Sequence, residues 1–213
     1  MKLPWLPVIL AAFCGSLLAH AAPPSAVPII VCFGDSITAG YGVDPGHSYP
    51  DYLQGDLDAR GYHYRVVNQG VSGDTTKDGV DRLSGVLALH PAVVIVEFGG
   101  NDGLRGLPST VTRANLDTIV AALVQNGNRG DQSKVLLAGI TLPPNYGPDY
   151  IRQFSGMYQE VAAKYHLTLL PMLYDGIYTV PGAIQQDGIH PTAKGAQLLA
   201  AHLVPLLLPL LHR

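Results

Sequence analysis

A serine, a histidine and an aspartate stand where their side chains could act together. Ser36 follows Gly34-Asp35 directly after an apolar run at 29–33, and Asp187 and His190 lie three residues apart just ahead of the last apolar helical pattern. A serine hydroxyl is a weak nucleophile at its ordinary pKa. It needs a base, a group to orient that base, and donors for the charge that develops on the substrate. His190 is the candidate base and Asp187 its orienter, since a carboxylate accepting the second ring proton fixes the imidazole tautomer. Gly188 lets the backbone bend so that both side chains face one way, and Pro191 suits the first turn of the following helix. Two further stretches offer donors, Ser72-Gly73-Asp74-Thr75 and Gly99-Gly100-Asn101-Asp102-Gly103. Gly73 presents an unobstructed backbone N–H, Asn101 a side-chain amide, and Ser36 its own N–H, a set suited to an oxyanion. The chemistry these parts suggest is acyl transfer.

Taken singly, each part has a plainer reading. Gly-Asp-Ser is usually a turn, Asp-x-x-His before a helix is more often a cap with a surface histidine, and Gly99 to Gly103 reads as a tight turn, because Asn and Asp tolerate left-handed backbone. Conjunction is what raises the catalytic reading. Glu97, inside an apolar run, reads as a satisfied buried carboxylate that positions a loop. A phosphate loop is excluded, because the Gly34 to Gly40 stretch is followed by Tyr41 and not by lysine. Two other classes stay open at this point: a metal-dependent phosphoesterase using Asp35, Asn101, Asp187 and His190 as ligands, and a non-catalytic flavodoxin-like binding module.

Strand patterns at 29–33, 64–68, 93–98, 135–140 and 167–170 alternate with helical patterns at 49–60, 76–89, 110–125 and 150–165, and a last helix is expected at 192–203. Such alternation predicts an α/β fold, a parallel five-stranded sheet covered by helices on both faces. Periodicity does not fix strand order; a flavodoxin-like order is the expectation. Ser36 would then sit at the C-terminal end of a central strand, where open α/β sheets place their ligands. The segment 103–108 follows Asn101 and carries Leu104 and Leu107 beside Gly103 and Gly106, which suits a small movable flap over an acyl chain; simple packing on the next helix is the plainer alternative. Asn126 to Asp131 is a turn cluster. Pro205 and Pro209 are expected to end the last helix, with the apolar tail packed on the body.

The 213 residues, 47% hydrophobic and 14% charged, suffice for one domain with a substantial core. The formal net charge of −3 argues against a nucleic-acid partner. Residues 1–21 read as an export signal: Lys2 gives a short basic start, 8–19 is an apolar core too short to span a bilayer comfortably, and Ala19-His20-Ala21 fits a small-x-small cleavage site. The alternative is an uncleaved anchor. Cleavage would leave a single domain at 22–213, periplasmic or secreted and without stable membrane insertion. Trp5, the only tryptophan, and Cys14 would go with the signal, leaving Cys32 alone as a buried small hydrophobe.

The blocks Gly34-Asp35-Ser36, Ser72-Gly73, Gly99-x-Asn101-Asp102 and Asp187-x-x-His190 together resemble the GDSL, or SGNH, hydrolase family. The similarity runs from about residue 29 to the last helix. The stretches 72–75, 99–106 and 142–147 are similar to its bacterial periplasmic subgroup of acyl-CoA thioesterases, lysophospholipases and arylesterases. The resemblance implies Ser36 as nucleophile, His190 as base, Asp187 as its orienter, and Ser36, Gly73 and Asn101 as the oxyanion hole. It further implies a three-layer α/β/α sandwich, no metal or organic cofactor, and a small-molecule acyl ester or thioester as substrate. Asn145 and Tyr146 would join Leu104 and Leu107 in binding it, and the chain is taken to act as a monomer. The first block reads Gly-Asp-Ser-Ile and not Gly-Asp-Ser-Leu; Ile37 keeps an apolar contact. A carbohydrate acetyl-esterase of the same fold is the alternative within the family.

Overall fold

The structure, a computed structural model, describes Met1, residues 27–125 and residues 132–212. Apart from Met1, the expected export signal at 1–21, with Trp5, and the turn cluster at 126–131 lie outside the described residues. The elements run β1 (Ile29–Gly34), α1 (Ser36–Ala39), α2 (Tyr49–Ala59), β2 (Arg65–Gly70), α3 (Thr76–Leu87), β3 (Val93–Glu97), α4 (Gly100–Leu104), α5 (Ser109–Gln125), β4 (Lys134–Ala138), α6 (Pro148–Tyr165), β5 (Thr168–Leu170) and α7 (Ala193–Leu207). All strands pair in parallel in the order β2-β1-β3-β4-β5, the expected flavodoxin-like arrangement. Helices α2 and α7 pack together on one face, while α3, α5 and α6 pack side by side on the other. Strand β3 is buried along its whole length, and β1 at every residue after Ile29, as strands covered on both faces must be. Cys32 is fully buried there, and burial pushes its thiol up to about 12.

Two short helices, α1 and α4, replace what reads as loop in the sequence, and both begin at the site. Helix α1 is capped by Asp35, whose Oδ1 accepts from the Ile37 N–H at 3.0 Å. The last helix runs past Pro205 to Leu207 and ends in a 3₁₀ turn, Leu208–Leu210. Pro205 is tolerated because it and Ala201, whose carbonyl loses its partner, are exposed to water. The tail does return to the body: Leu211 is buried and the Leu210 carbonyl accepts from Lys134 Nζ at 2.7 Å. By length and composition Ala193–Leu210 could cross a membrane. Its buried residues Ala196, Leu199, Ala200, Leu203, Val204 and Leu207 nevertheless repeat at helical spacing and face the core. Pro191 does not open this helix, since Thr192 is its N-cap; Pro191 instead pairs with Ile184 in an isolated antiparallel bridge.

Strands β1 and β3 carry acidic residues at their junction. Glu97 ends β3, is 1% exposed, and its Oε2 accepts from Thr38 Oγ1 at 2.8 Å and from the Asp35 N–H at 3.4 Å. Its Oε1 has no partner among the described residues, so this carboxyl is only half satisfied. Gly34 pairs with Glu97 in the sheet, and a Cβ there would meet Thr38 Oγ1 at 2.1 Å and Glu97 Oε2 at 2.6 Å. Burial first, and the neighbouring Asp35 second, push Glu97 well above its ordinary value. A carboxyl raised in this way binds its proton more tightly in the native state. Its contribution to stability is therefore full below the ordinary value of 4.5 and is lost as pH rises through the native value. Glu97→Gln should accordingly gain stability relative to the unchanged chain as pH climbs from below 4.5, read as a growing difference in Tm. Thermal unfolding across that pH series checks it, and a difference that stays flat with pH would mean that Glu97 ionises without penalty.

Candidate functional site

The sheet order reverses between β1 and β3, and the two chain segments leaving these strands bound the crevice where such folds bind ligands. Ser36 leaves β1 at the first position of α1, and Asn101 leaves β3 in the first turn of α4. His190 reaches the same place from the segment before α7. Its Nε2 lies 2.8 Å from Ser36 Oγ and its Nδ1 lies 2.7 Å from Asp187 Oδ2.

Local backbone chemistry builds the Asp187–His190 unit. The Gly188 N–H donates to the Gln185 carbonyl at 3.0 Å, closing a turn in which Gly188 takes a φ of +71°. Asp187 Oδ1 then accepts from the Ile189 and His190 N–H groups at 2.9 and 3.1 Å, which leaves Oδ2 for the imidazole. Burial works to raise the Asp187 carboxyl, but the bonds from the His190 ring and the two backbone N–H groups outweigh it and hold the group below its ordinary value. The Gln185 N–H donates to the His190 carbonyl at 2.8 Å, and Gln185 Nε2 donates to the Tyr41 carbonyl at 2.8 Å. The Tyr41 ring lies 4.6 Å from the His190 ring, tilted by 43°. The imidazole is thus held at both nitrogens and along one face.

The expected donors converge on the same cavity. Ser36, Gly73 and Asn101 all line it, and neither the Ser36 nor the Gly73 N–H has an acceptor among the described residues. Asn101 differs, because its Nδ2 donates to the Asp74 carbonyl at 2.9 Å and to Asp35 Oδ2 at 3.2 Å, so both amide hydrogens are engaged. Asp35 is 2% exposed; burial pushes it up to about 6, against the lowering pull of its hydrogen bonds and of His190. Asp102, next to Asn101, ties α4 to α3 by accepting from Thr76 N at 2.9 Å and Thr76 Oγ1 at 2.5 Å.

The cavity holds about 300 Å³, and its wall is mainly apolar, with Ile37, Leu104, Ile140, Leu142, Pro143 and Tyr174 among its members. Leu104 is on this wall as expected, whereas Leu107, Asn145 and Tyr146 are not among the lining residues. Asn145 is exposed. The Tyr146 hydroxyl donates to the Leu104 carbonyl at 2.8 Å, and the Tyr150 hydroxyl to the Leu107 carbonyl at 2.6 Å. Gly103 and Leu104 belong to helix α4, so the segment 103–108 is a helix end and turn pinned by two tyrosines and not the free flap expected from its composition. The wall residues Ile140, Tyr174 and Tyr178 carried no local signal in the sequence. Leu142 and Pro143 lay in a stretch noted only for its resemblance. Among the described residues, no group of three or more His, Cys, Asp or Glu side chains is arranged to hold a metal ion. The four ligands of the phosphoesterase alternative are instead bonded to one another or to backbone N–H groups.

Comparison with known proteins agrees with this geometry. Residues 32–198 match the model of the GDSL-like Lipase/Acylhydrolase family. The chain is 44% identical over 188 residues to Esterase TesA of Pseudomonas aeruginosa, covering 88% of this chain and 91% of that protein. It is 34% identical over 189 residues to the Thioesterase 1/protease 1/lysophospholipase L1 of Escherichia coli, covering 88% of this chain and 87% of that one. A crystal structure of TesA superposes with a TM-score of 0.79 at 43% identity over 86% of this chain and 99% of the other. With the matched family region spanning all four sequence blocks and the sheet bringing them to one rim, this chain belongs to the GDSL-like lipase/acylhydrolase family.

Proposed function

We propose that this chain hydrolyses carboxylic esters and thioesters of small molecules through an acyl-enzyme on Ser36. The observation that carries the reading is the continuous relay Asp187 Oδ2–His190 Nδ1 at 2.7 Å and His190 Nε2–Ser36 Oγ at 2.8 Å, opening onto an apolar cavity. With Asp187 held as the anion, the imidazole carries its proton on Nδ1 and offers a bare Nε2 to the serine. Ser36 Oγ attacks the acyl carbonyl as its proton passes to Nε2. The Ser36 and Gly73 N–H groups receive the developing oxyanion, and Asn101 joins by sharing or releasing its longer bond, the one to Asp35. Collapse expels the alkoxide or thiolate, which takes the proton from His190. Water, deprotonated by His190 in turn, releases the acid. An apolar wall favours acyl chains longer than acetyl, which speaks for ester and thioester hydrolysis over sugar deacetylation.

Labelling with a fluorophosphonate and mapping the adduct tests the reading directly, with Ser36 as the expected site. Ser36→Ala should lose on the order of 10⁴-fold or more in kcat, and chelators should leave the unchanged enzyme unaffected. Activity that vanishes in chelator and returns with a divalent metal would favour phosphoester chemistry instead.

Leu104, on the cavity wall, is proposed to read the acyl chain, and Leu107, off it, is not. Each buried methylene contributes about 0.8 kcal/mol, roughly a fourfold gain in kcat/KM per carbon until the cavity fills. Across an acyl-length series, Leu104→Ser should flatten this slope, while Leu107→Ser should leave it intact. Equal losses at every length in the Leu104 variant would make that residue a support of the site only.

Residues 1–21 are proposed to be an export signal, supported by the basic start, the apolar core and the Ala19-His20-Ala21 site. Protein purified from the extracytoplasmic fraction should then begin at Ala22 and, having lost Trp5, emit as a tyrosine-only protein. An N-terminal peptide containing Trp5 would establish a retained anchor.

A further inference from the structure

We propose that Arg82 is the positioning residue of the oxyanion hole, a role that rests on the reading of Ser36, Gly73 and Asn101 given above. Arg82 lies on α3, outside the cavity wall, with its side chain 24% exposed. Its guanidinium sits 4.5 Å from the centre of the Phe33 ring and 5.5 Å from that of Phe98, two rings that meet edge to face at 4.8 Å. Stacking on aromatic carbon orients the plane of the cation, so its N–H groups point in fixed directions.

Those directions lead to three acceptors on two strand-end segments, the end of β1 and the end of β2 with its loop. Nη2 donates to the Gly34 carbonyl at 2.8 Å, Nη1 to the Gln69 carbonyl at 2.8 Å, and Nε to Asp74 Oδ2 at 2.6 Å. Gly34 is the last residue of β1, two before Ser36. Gln69 is next to last in β2, at the start of the loop that carries Gly73. Asp74 follows Gly73, and its carbonyl accepts one amide hydrogen of Asn101 at 2.9 Å. The Val71 N–H also donates to the Gly34 carbonyl, at 3.1 Å, so the loop is tied to β1 at the atom Arg82 holds. One planar cation thereby sets the spacing of all three oxyanion donors without touching the substrate.

The geometry demands arginine. A lysine would keep the charge but is a compact point donor, unable to serve two backbone carbonyls and a carboxylate in one plane. A partly exposed ion pair alone would contribute little to stability. Misplacing catalytic groups by about 1 Å, by contrast, costs on the order of 10²-fold in rate. The effect belongs in kcat, because the hole acts on the transition state more than on bound substrate.

The experiment compares Arg82→Lys, Asp74→Ala, Asn101→Ala and the double variant Arg82→Lys/Asn101→Ala, with kcat expressed per active site titrated by a fluorophosphonate. Arg82→Lys should lower kcat by about tenfold or more with KM within about twofold, and labelling of Ser36 should slow while reaching the same stoichiometry. Asp74→Ala, which unhooks the Gly73 loop from an intact arginine, should reproduce part of the loss and keeps the test open if Arg82→Lys fails to fold. The double variant should lose clearly less than the product of the two single losses, because groups that act as one unit are not additive. Losses that multiply, that appear in KM, or that track only the fraction of protein labelled would overturn the role of Arg82. If Asn101→Ala itself left kcat unchanged, the oxyanion-hole reading would fall first, and the Arg82 proposal with it.

Discussion

A hydroxyl at position 36 and an imidazole at position 190, 154 residues apart in the chain, are held 2.8 Å apart. Two separate scaffolds of the rim set that distance. The parallel sheet delivers the ends of β1 and β3 side by side at the point where strand order reverses, which fixes Ser36 and Asn101. Nothing in the sheet fixes His190, because β5 ends at Leu170 and the relay lies well beyond it. The segment before α7 therefore needs its own scaffold. It is supplied by the Ile184–Pro191 bridge, the turn closed at Gly188, the Thr192 N–H donating to the Ala183 carbonyl at 2.8 Å, and the reach of Gln185 to Tyr41. Tyr41 follows α1 closely, so the last of these links fastens the His190 segment to that of Ser36.

Beneath Ser36 lies an expensive arrangement. Asp35 and Glu97 are both almost fully buried at the β1–β3 junction, and each is pushed upward chiefly by burial. An apolar pair would cost less. Their retention has a local explanation in hydrogen bonding: Asp35 caps α1 and accepts from Asn101, while Glu97 holds the Asp35 N–H and the Thr38 hydroxyl. Both carboxyls thus serve the short helix that begins with Ser36. The approach is so close that Gly34 has no room for a side chain. Stability is given up here to make one turn of helix rigid, a trade expected where a site requires fixed geometry.

Much of this was legible in the sequence because it is periodic or local. The buried run at β1, the alternation of strand and helix, and the Asp187-Gly188-x-His190 spacing each carry their own signal, and the family resemblance joined them. What escaped was non-local or too short to have a period. Helices α1 and α4 span four and five residues, less than any pattern can mark, and are set by Asp35 capping and by the bonds of Asp102 to Thr76. The cavity wall draws Ile140 from beyond β4 and Tyr174 from beyond β5, ordinary apolar residues whose meeting is a property of the sheet order. Leu107 misled for the converse reason: its composition and position suggested a lining residue, but the turn after α4 carries it off the wall. Pro205 misled because its penalty depends on whether water can reach the carbonyl it orphans, which a sequence does not state.

The bonding of Asn101 changes what an oxyanion hole means in this fold. Two of its proposed donors, the Ser36 and Gly73 N–H groups, have no internal acceptor among the described residues. The third is already satisfied on both hydrogens. Leaving a partly buried amide unpaired would cost roughly 1–3 kcal/mol in the resting protein, so the self-satisfied form is the stable one. The two bonds are not equivalent. The Asp74 carbonyl at 2.9 Å belongs to the loop that carries Gly73, and keeping that bond keeps the hole assembled. The Asp35 carboxyl at 3.2 Å is the looser partner, and it belongs to the residue preceding the nucleophile. An anion forming on the acyl oxygen is a stronger acceptor than a neutral carbonyl, so it competes for that hydrogen better in the transition state than the bound substrate does. On the proposed reading Asp35 therefore does more than cap a helix: as a rival acceptor, it would make the contribution of Asn101 grow with the charge on the substrate.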